Sequence, residues 1–350
     1  MLKKLKTLHN TKKKSIIAKL GCIAAHRKAL LAIYSNQTHN NLILEEDADL
    51  MNSLPNMCEG NKTILVVAHN VILRCLILKL IKEPSMGFRR IKLSNTSISI
   101  INVNSTNWED RKVQISCLNN IAHLNPTLPE KNTNKRIILV RHGETDWNKQ
   151  GRFQGQIDIP LNQNGKEQAT AASQFLKNIP IQRAFSSSLS RPKETAQIIL
   201  KEHQGIQILI KNNLIEIGHG LWEGKLESEI KSSWPDLLQQ WKTSPEKVQM
   251  PEGENIQEVS KRSIIAWEEI CNELKNNETA LVVAHDAVNK TILCHLLGLT
   301  PSEIWMIKQG NGGITVIDLA EEENQQDVIS CLNITSHLGG IIDVTTAGAL

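Results

Sequence analysis

Two arginines, two histidines and one glutamate stand where apolar runs give way to polar ones: Arg141, His142, Arg191, Glu216 and His285. The set suits phosphate chemistry. Arginine forks match phosphate oxygens bidentately. A neutral imidazole nitrogen can attack phosphorus and carry it as a covalent intermediate. The transition state spreads charge over equatorial oxygens, so fixed cationic donors do most of the work. A carboxyl in a half-closed cleft can protonate the leaving oxygen and then activate water. Each residue also has a plainer reading: a helix-start surface arginine, a packed core histidine, a polar turn. Only their joint placement separates the two.

That placement depends on the elements between them. Ile137–Val140 is a short β-branched and apolar run, the pattern of a strand buried on both faces, and Arg141-His142-Gly143-Glu144 closes it. Ligands of open α/β sheets sit outside the carboxyl ends of strands. A short strand ending in Ala184-Phe185 runs into Ser186-Ser-Ser-Leu-Ser-Arg191, and a strand over 280–284 runs into His285. The pattern predicts further strands at 206–210, 313–319 and 327–332, and helices over 164–178, 192–203, 226–241, 254–275 and 286–298. Helix starts at 192 and 286 would add backbone donors for an anion. Alternating strands and helices imply a three-layer α/β/α domain around a mostly parallel sheet.

The front of the chain carries a partial duplicate. Thr63-Ile-Leu-Val-Val-Ala-His69 nearly repeats Thr279-Ala-Leu-Val-Val-Ala-His285, 216 positions later. Ile91 and Lys92 fall on Ile307 and Lys308, and Asn95 on Asn311. Ile115-Ser-Cys-Leu-Asn119 matches Ile329-Ser-Cys-Leu-Asn333 at an offset of 214, and His123-Leu124 matches His337-Leu338. A long-period repeat signals a duplicated domain. In the first copy it predicts strands at 64–68, 97–103 and 112–118 and a helix at 70–82. Nothing before residue 60 resembles Arg141-His142-Gly143-Glu144. The catalytic fold is therefore preceded by an incomplete, inactive copy of itself. Such a copy must pack on the active domain, pair with another chain (a homodimer, for example) or stay loosely ordered, because a sheet missing a central strand leaves backbone groups unpaired. A binding or regulatory module is the rival role for that half.

The organisation that follows is a basic segment 1–44, the incomplete copy 45–124, a polar two-proline linker 125–135, the catalytic domain 136–338 and a tail 339–350. Net charge is +4, but residues 1–44 hold nine Lys or Arg and no acid, leaving −5 elsewhere. This excess in one terminal block does not indicate a nucleic-acid binder. Apolar positions predict a helix over 15–34, where Lys19 breaks the one run resembling a secretory core. No run reaches the ~18 apolar residues of a membrane span. Seven widely spaced cysteines without a Cys-x-x-Cys pair fit reduced thiols, a cytoplasmic location and no zinc site.

Five motifs in order carry a resemblance over 136–320: Arg141-His-Gly-Glu-Thr, Gly151-Arg-Phe-Gln-Gly, Leu161-Asn-Gln-Asn-Gly, Ser187-Ser-Leu-Ser-Arg-Pro-Lys-Glu-Thr-Ala and Val283-Ala-His285. The sequence resembles the histidine phosphatase (phosphoglycerate mutase-like) superfamily. The resemblance implies that His142 is the phosphorylated nucleophile and Glu216 the general acid/base. It implies that Arg141, Arg191 and His285 hold the phosphate, and that Asn148, Gln154 and Gly155 lie at the substrate. It implies no cofactor and no metal. Glu144, His123, His219, Trp222, Glu223 and His337 are expected to be structural, and His69 a packed core histidine.

The implied activity is hydrolysis of a small phosphomonoester: a sugar phosphate, a sugar-acid phosphate or a phosphoserine-like compound. A phosphoglycerate mutase is the alternative, and a pseudoenzyme that binds phosphorylated ligands the alternative of another class. Mutases carry a long insert with paired arginines, whereas here no arginine lies between Arg191 and Arg262. His285 is followed by Asp286-Ala-Val-Asn289, where many relatives have Gly-Gly-x-x-Arg. An acid beside the pocket is expected to disfavour bisphosphates.

Overall fold

The computed structural model describes residues 41–43, 63–81, 88–104, 112–131, 133–322, 325–343 and 345. The predicted helix over 15–34 and most of the basic segment lie outside the described residues. One sheet organises the rest. Its order is β3 (Ile98–Asn104), β4 (Lys112–Asn120), β10 (Val328–Ile334), β9 (Ile314–Asp318), β5 (Arg136–Arg141), β8 (Thr279–Ala284), β6 (Arg183–Ser186), β7 (Ile208–Ile210). A separate parallel pair joins β1 (Asn41–Ile43) to β2 (Ile64–Val66).

The expected α/β layering is present, and the sheet is mixed. β5, β8, β6 and β7 run parallel, whereas the β5–β9, β9–β10, β10–β4 and β4–β3 pairs are antiparallel. Connection length accounts for the β9–β10 pair. The parallel strands are linked through helices, while a short loop joins β9 to β10, and such loops permit only antiparallel pairing. All the predicted site strands belong to the parallel half.

The central strands are buried on both faces because both faces are covered. Ile137 and Leu139 of β5, with Val282 of β8, face one core that includes Ile256, Val259, Trp267, Ala287 and Ile292. These come from α7 (Ile256–Glu273) and α8 (Asp286–Leu297). Ile138, Val140, Leu281 and Val283 face the other core, with Ala172 and Leu176 of α3 (Gln163–Leu176) and Ala196 and Ile199 of α4 (Ser190–Ile199). The period-2 alternation thus sends successive side chains into two separate cores. Each fully buried aliphatic side chain contributes about 1.5–3 kcal/mol.

Other boundaries shift for local reasons. The predicted helix over 226–241 is two helices, α5 (Glu227–Ser233) and α6 (Pro235–Thr243). Trp234 between them sits at φ −139°, ψ 59°, because the proline ring disfavours a helical residue before it. The helix of the N-terminal segment, α1 (Asn70–Leu80), lies on the same core as α7 and α8 through Leu73, Leu76 and Ile77. The short helix α2 (Asp146–Gln150) follows the Arg141-His142 turn. Among the described residues, no helix is long and apolar enough to cross a membrane.

Candidate active site

The end of β5 delivers Arg141 and His142 into a buried position, each 2% exposed. The His142 ring is oriented by its own chain: Nδ1 lies 2.7 Å from the Gly143 carbonyl. A carbonyl oxygen only accepts, so Nδ1 carries the proton and Nε2 presents its lone pair. Arg191 Nε donates to that Nε2 at 3.3 Å. Burial, then the charges of Arg191 and Arg141, hold His142 well below the ordinary histidine range. It is neutral, the state a nucleophile needs.

Arg191, fully buried at the start of α4, is held by carbonyls. Nη2 donates to Gly155 at 2.8 Å and Nη1 to Ile157 at 3.2 Å. Burial lowers its pKa to about 10, with Glu216 opposing, so the guanidinium keeps its charge near neutrality. The loop carrying those carbonyls is in turn held by Glu223, which accepts from the N–H groups of Gln156 and Ile157, at 2.9 Å each, and of His219. A Cβ at Gly155 would lie 2.1 Å from Glu223 Oε1 and 2.7 Å from the Ile217 carbonyl, so only glycine fits there.

His285 caps the other side. Its ring centroid is 5.1 Å from that of His142 at an interplanar angle of 67°. Its Nε2 lies 2.8 Å from Ser187 Oγ at the end of β6, and its buried Nδ1 has no protein partner. Burial, then Arg191 and His142, keep it well below the usual range.

Glu216 accepts from the N–H of Ile217 at 3.0 Å through Oε1, and from that of Asp286 at 3.0 Å through Oε2. Burial and then the Asp286 charge raise its pKa above the usual carboxylate range, against the pull of Arg191 and Arg141. Arg262 fixes the backbone behind it, donating to the carbonyls of Asn213, Ile215 and Glu216 and pairing with Glu254 at 2.8 Å.

Arg141, His142, Arg191, Glu216 and His285 are therefore brought together. The peripheral expectations fare differently. Asn148 Oδ1 is engaged by the Thr145 N–H and by Asn311 Nδ2, each at 3.2 Å, so it caps α2 and braces the loop beside the site. Gln154 Oε1 takes the Thr145 hydroxyl at 2.7 Å, leaving its buried Nε2 without a protein partner. Gly155 acts through its carbonyl on Arg191. His69 is exposed rather than packed, a correction to the sequence reading.

Asp286 also differs from expectation. It is 2% exposed and paired with Lys290 at 2.9 Å, while Arg141 Nη1 lies 3.9 Å away. Lys290 itself lies over the Trp305 ring, 4.9 Å from its centroid. Its charge is balanced locally, so it does not confront substrate as an unpaired acid. Sequence reasoning missed Ser187, Thr195, Gln309 and Asn311. Thr195 Oγ1 accepts from the Gly143 N–H at 3.1 Å, and Gln309 O takes Arg141 Nη1 at 2.6 Å. Asn311 matches Asn95 in the repeat, so its presence carried no site signal. Among the described residues, no cluster of three or more His, Cys, Asp and Glu suits a metal ion.

A profile of the histidine phosphatase superfamily (branch 1) matches residues 49–116 and 137–331, more than half of the chain. The chain belongs to that superfamily. It is 35% identical over 204 residues to phosphoserine phosphatase 1 of Hydrogenobacter thermophilus, covering 58% of this chain and 94% of that protein. It is 32% identical over 209 residues to the 2-carboxy-D-arabinitol-1-phosphatase of Triticum aestivum, 59% of this chain but 42% of the wheat protein. A solved phosphoserine phosphatase from Entamoeba histolytica, in complex with 3-phosphoglyceric acid, superposes with a TM-score of 0.50 at 30% identity. That match covers 58% of this chain and 99% of the other.

Proposed function

We propose that the chain hydrolyses small phosphomonoesters through a phosphohistidine formed on His142. The observation that carries this reading is the state of His142: neutral, with Nδ1 tied to Gly143 and Nε2 turned to the Arg191 guanidinium. Phosphate entering the site takes over the donors of Arg191 and Arg141 and the open Nδ1 side of His285. His142 Nε2 then attacks phosphorus. The bond from phosphorus to the leaving oxygen breaks as Glu216 donates its proton to that oxygen. In the second half, ionised Glu216 takes a proton from water, the oxygen attacks phosphorus, and the P–Nε2 bond breaks. Inorganic phosphate leaves and Glu216 is protonated again.

A phosphoserine-like or sugar-acid phosphate substrate fits the names of the relatives and the size of the insert between Glu216 and His285. A phosphoglycerate mutase is disfavoured by that same insert. Lys231, Lys242 and Lys247 are exposed, and Lys242 pairs with Glu227 at 2.6 Å, so they do not gather at a substrate carboxylate. The segment before residue 125 reads as a catalytically silent partial copy; its contacts with β10 support this. It supplies no counterpart of Arg141, His142, Arg191 or Glu216.

A panel of phosphomonoesters, with 3-phosphoglycerate included, tests the reading. Phosphate release that falls at least about a thousandfold in His142→Ala is the expected outcome. Isomerisation of phosphoglycerate without net phosphate release would favour the mutase instead. Binding of phosphorylated ligands with no turnover would favour a pseudoenzyme.

A further inference from the structure

The seam between β4 and β10 is reciprocal. Leu118 pairs with Leu332, its own counterpart in the repeat. Lys92 N donates to Ile329 O, and Lys308 N to Ile115 O, both at 3.0 Å. Asn119 Nδ2 donates to Ser330 O, and Asn333 Nδ2 to Ser116 O. Both asparagines sit in the left-handed region, at φ 52° and 51°. Asn119 N donates to Ser99 Oγ and Asn333 N to Thr315 Oγ1. This is the pattern of an isologous two-fold contact, made here within one chain.

The symmetry stops at the loop each asparagine holds. Asn119 Oδ1 accepts from Ser94 N at 2.6 Å, and among the described residues the neighbouring Leu93 O takes the amide of Asn70. Asn333 Oδ1 accepts from Gly310 N at 2.8 Å, and the neighbouring Gln309 O takes the guanidinium of Arg141. The same loop closes on the site twice more. Gly312 N donates to the carbonyls of Arg141 and His142, and Asn311 Nδ2 donates to His142 O. The fit around Asn333 is close: a Cβ at Gly313 would lie 2.3 Å from its Oδ1. On the other side Asp343 binds Asn333 Nδ2 and Lys308 Nζ, each at 3.3 Å, and a Cβ at Gly310 would lie 2.5 Å from it.

We infer that Asn333 is a positioning residue for the phosphate clamp: it anchors the 309–312 loop, and hence Arg141, to strand β4 of the N-terminal segment. The segment without a site then serves as the fixed wall of the site. The inference rests on Arg141 being a phosphate ligand, as proposed above. Positional errors of about 1 Å at such a group are worth up to about a hundredfold.

Asn119 supplies the control, since it makes matching seam bonds but holds no catalytic loop. Glycine adopts the left-handed conformation freely, so Asn333→Gly and Asn119→Gly remove the side chain without adding backbone strain. The experiment uses the full chain and measures the dissociation constant of inorganic phosphate, KM against kcat, and Tm. Both variants are expected to lose similar thermal stability. Asn333→Gly is expected to weaken phosphate binding about tenfold and to raise KM more than it lowers kcat; Asn119→Gly stays within about twofold of the parent. Asp343→Ala, which loosens the same loop without touching the turn, is expected to weaken phosphate about threefold even if Asn333→Gly fails to fold.

Equal phosphate affinity in the two glycine variants, or an unchanged Asp343→Ala, overturns the inference. Arg141→Ala separates the two levels. If it weakens phosphate while Asn333→Gly does not, only the positioning role fails. If Arg141→Ala binds phosphate like the parent, or the parent binds none, the site reading fails with it.

Discussion

His69 and His285 end the same string, Val-Val-Ala-His, and their surroundings could hardly differ more. His285 is fully buried, with Ser187 on one ring nitrogen and the His142 ring beside it. His69 is exposed. The strands that carry them are alike; what differs is the company. β8 lies between β5 and β6, which deliver His142 and Ser187, whereas among the described residues β2 pairs only with β1. A strand-end histidine joins a buried polar cluster when neighbouring strands bring the rest of it. The same motif without those neighbours is only surface.

The largest test of that contrast is a pair of substitutions. His285→Ala is expected to lower kcat/KM about a hundredfold or more, the usual loss for one pre-positioned group at a charged transition state. His69→Ala is expected to leave kcat/KM within about twofold. A comparable loss at both would break the distinction between the halves. A second test sharpens it at Glu216, for which the first segment offers no obvious counterpart in sequence. Burial and Asp286 raise its pKa, so the acid form persists above the ordinary carboxylate range and is lost as pH rises through the raised value. The rate of leaving-group protonation should fall over that interval. Glu216→Gln is expected to reduce kcat about 10²–10⁴-fold on poor leaving groups and to flatten that limb of the pH profile. A limb that survives the substitution would assign it to another group.

The site was legible in the sequence wherever chemistry and strand ends coincide: Arg141, His142, Arg191, Glu216 and His285 all converge. The supporting groups were not. Gln309 acts through a backbone carbonyl, which no side-chain pattern reveals, and Asn311 recurs in both halves of the repeat. The α/β layering followed from the buried run at 137–140 and the helices after it. The mixed sheet did not, because apolar alternation reports burial and not strand direction. Asp286 looked like a bare acid since its partner Lys290 lies one helical turn on, and whether that pair faces inward depends on tertiary packing.

The most direct measurement is a rapid alkaline quench of enzyme mixed with a phosphate-labelled substrate, followed by mapping of the labelled peptide. The account predicts stoichiometric label on His142, on the Nε2 nitrogen, appearing before free phosphate and absent in His142→Ala. Phosphate release with no covalent label, or label on another residue, would contradict it.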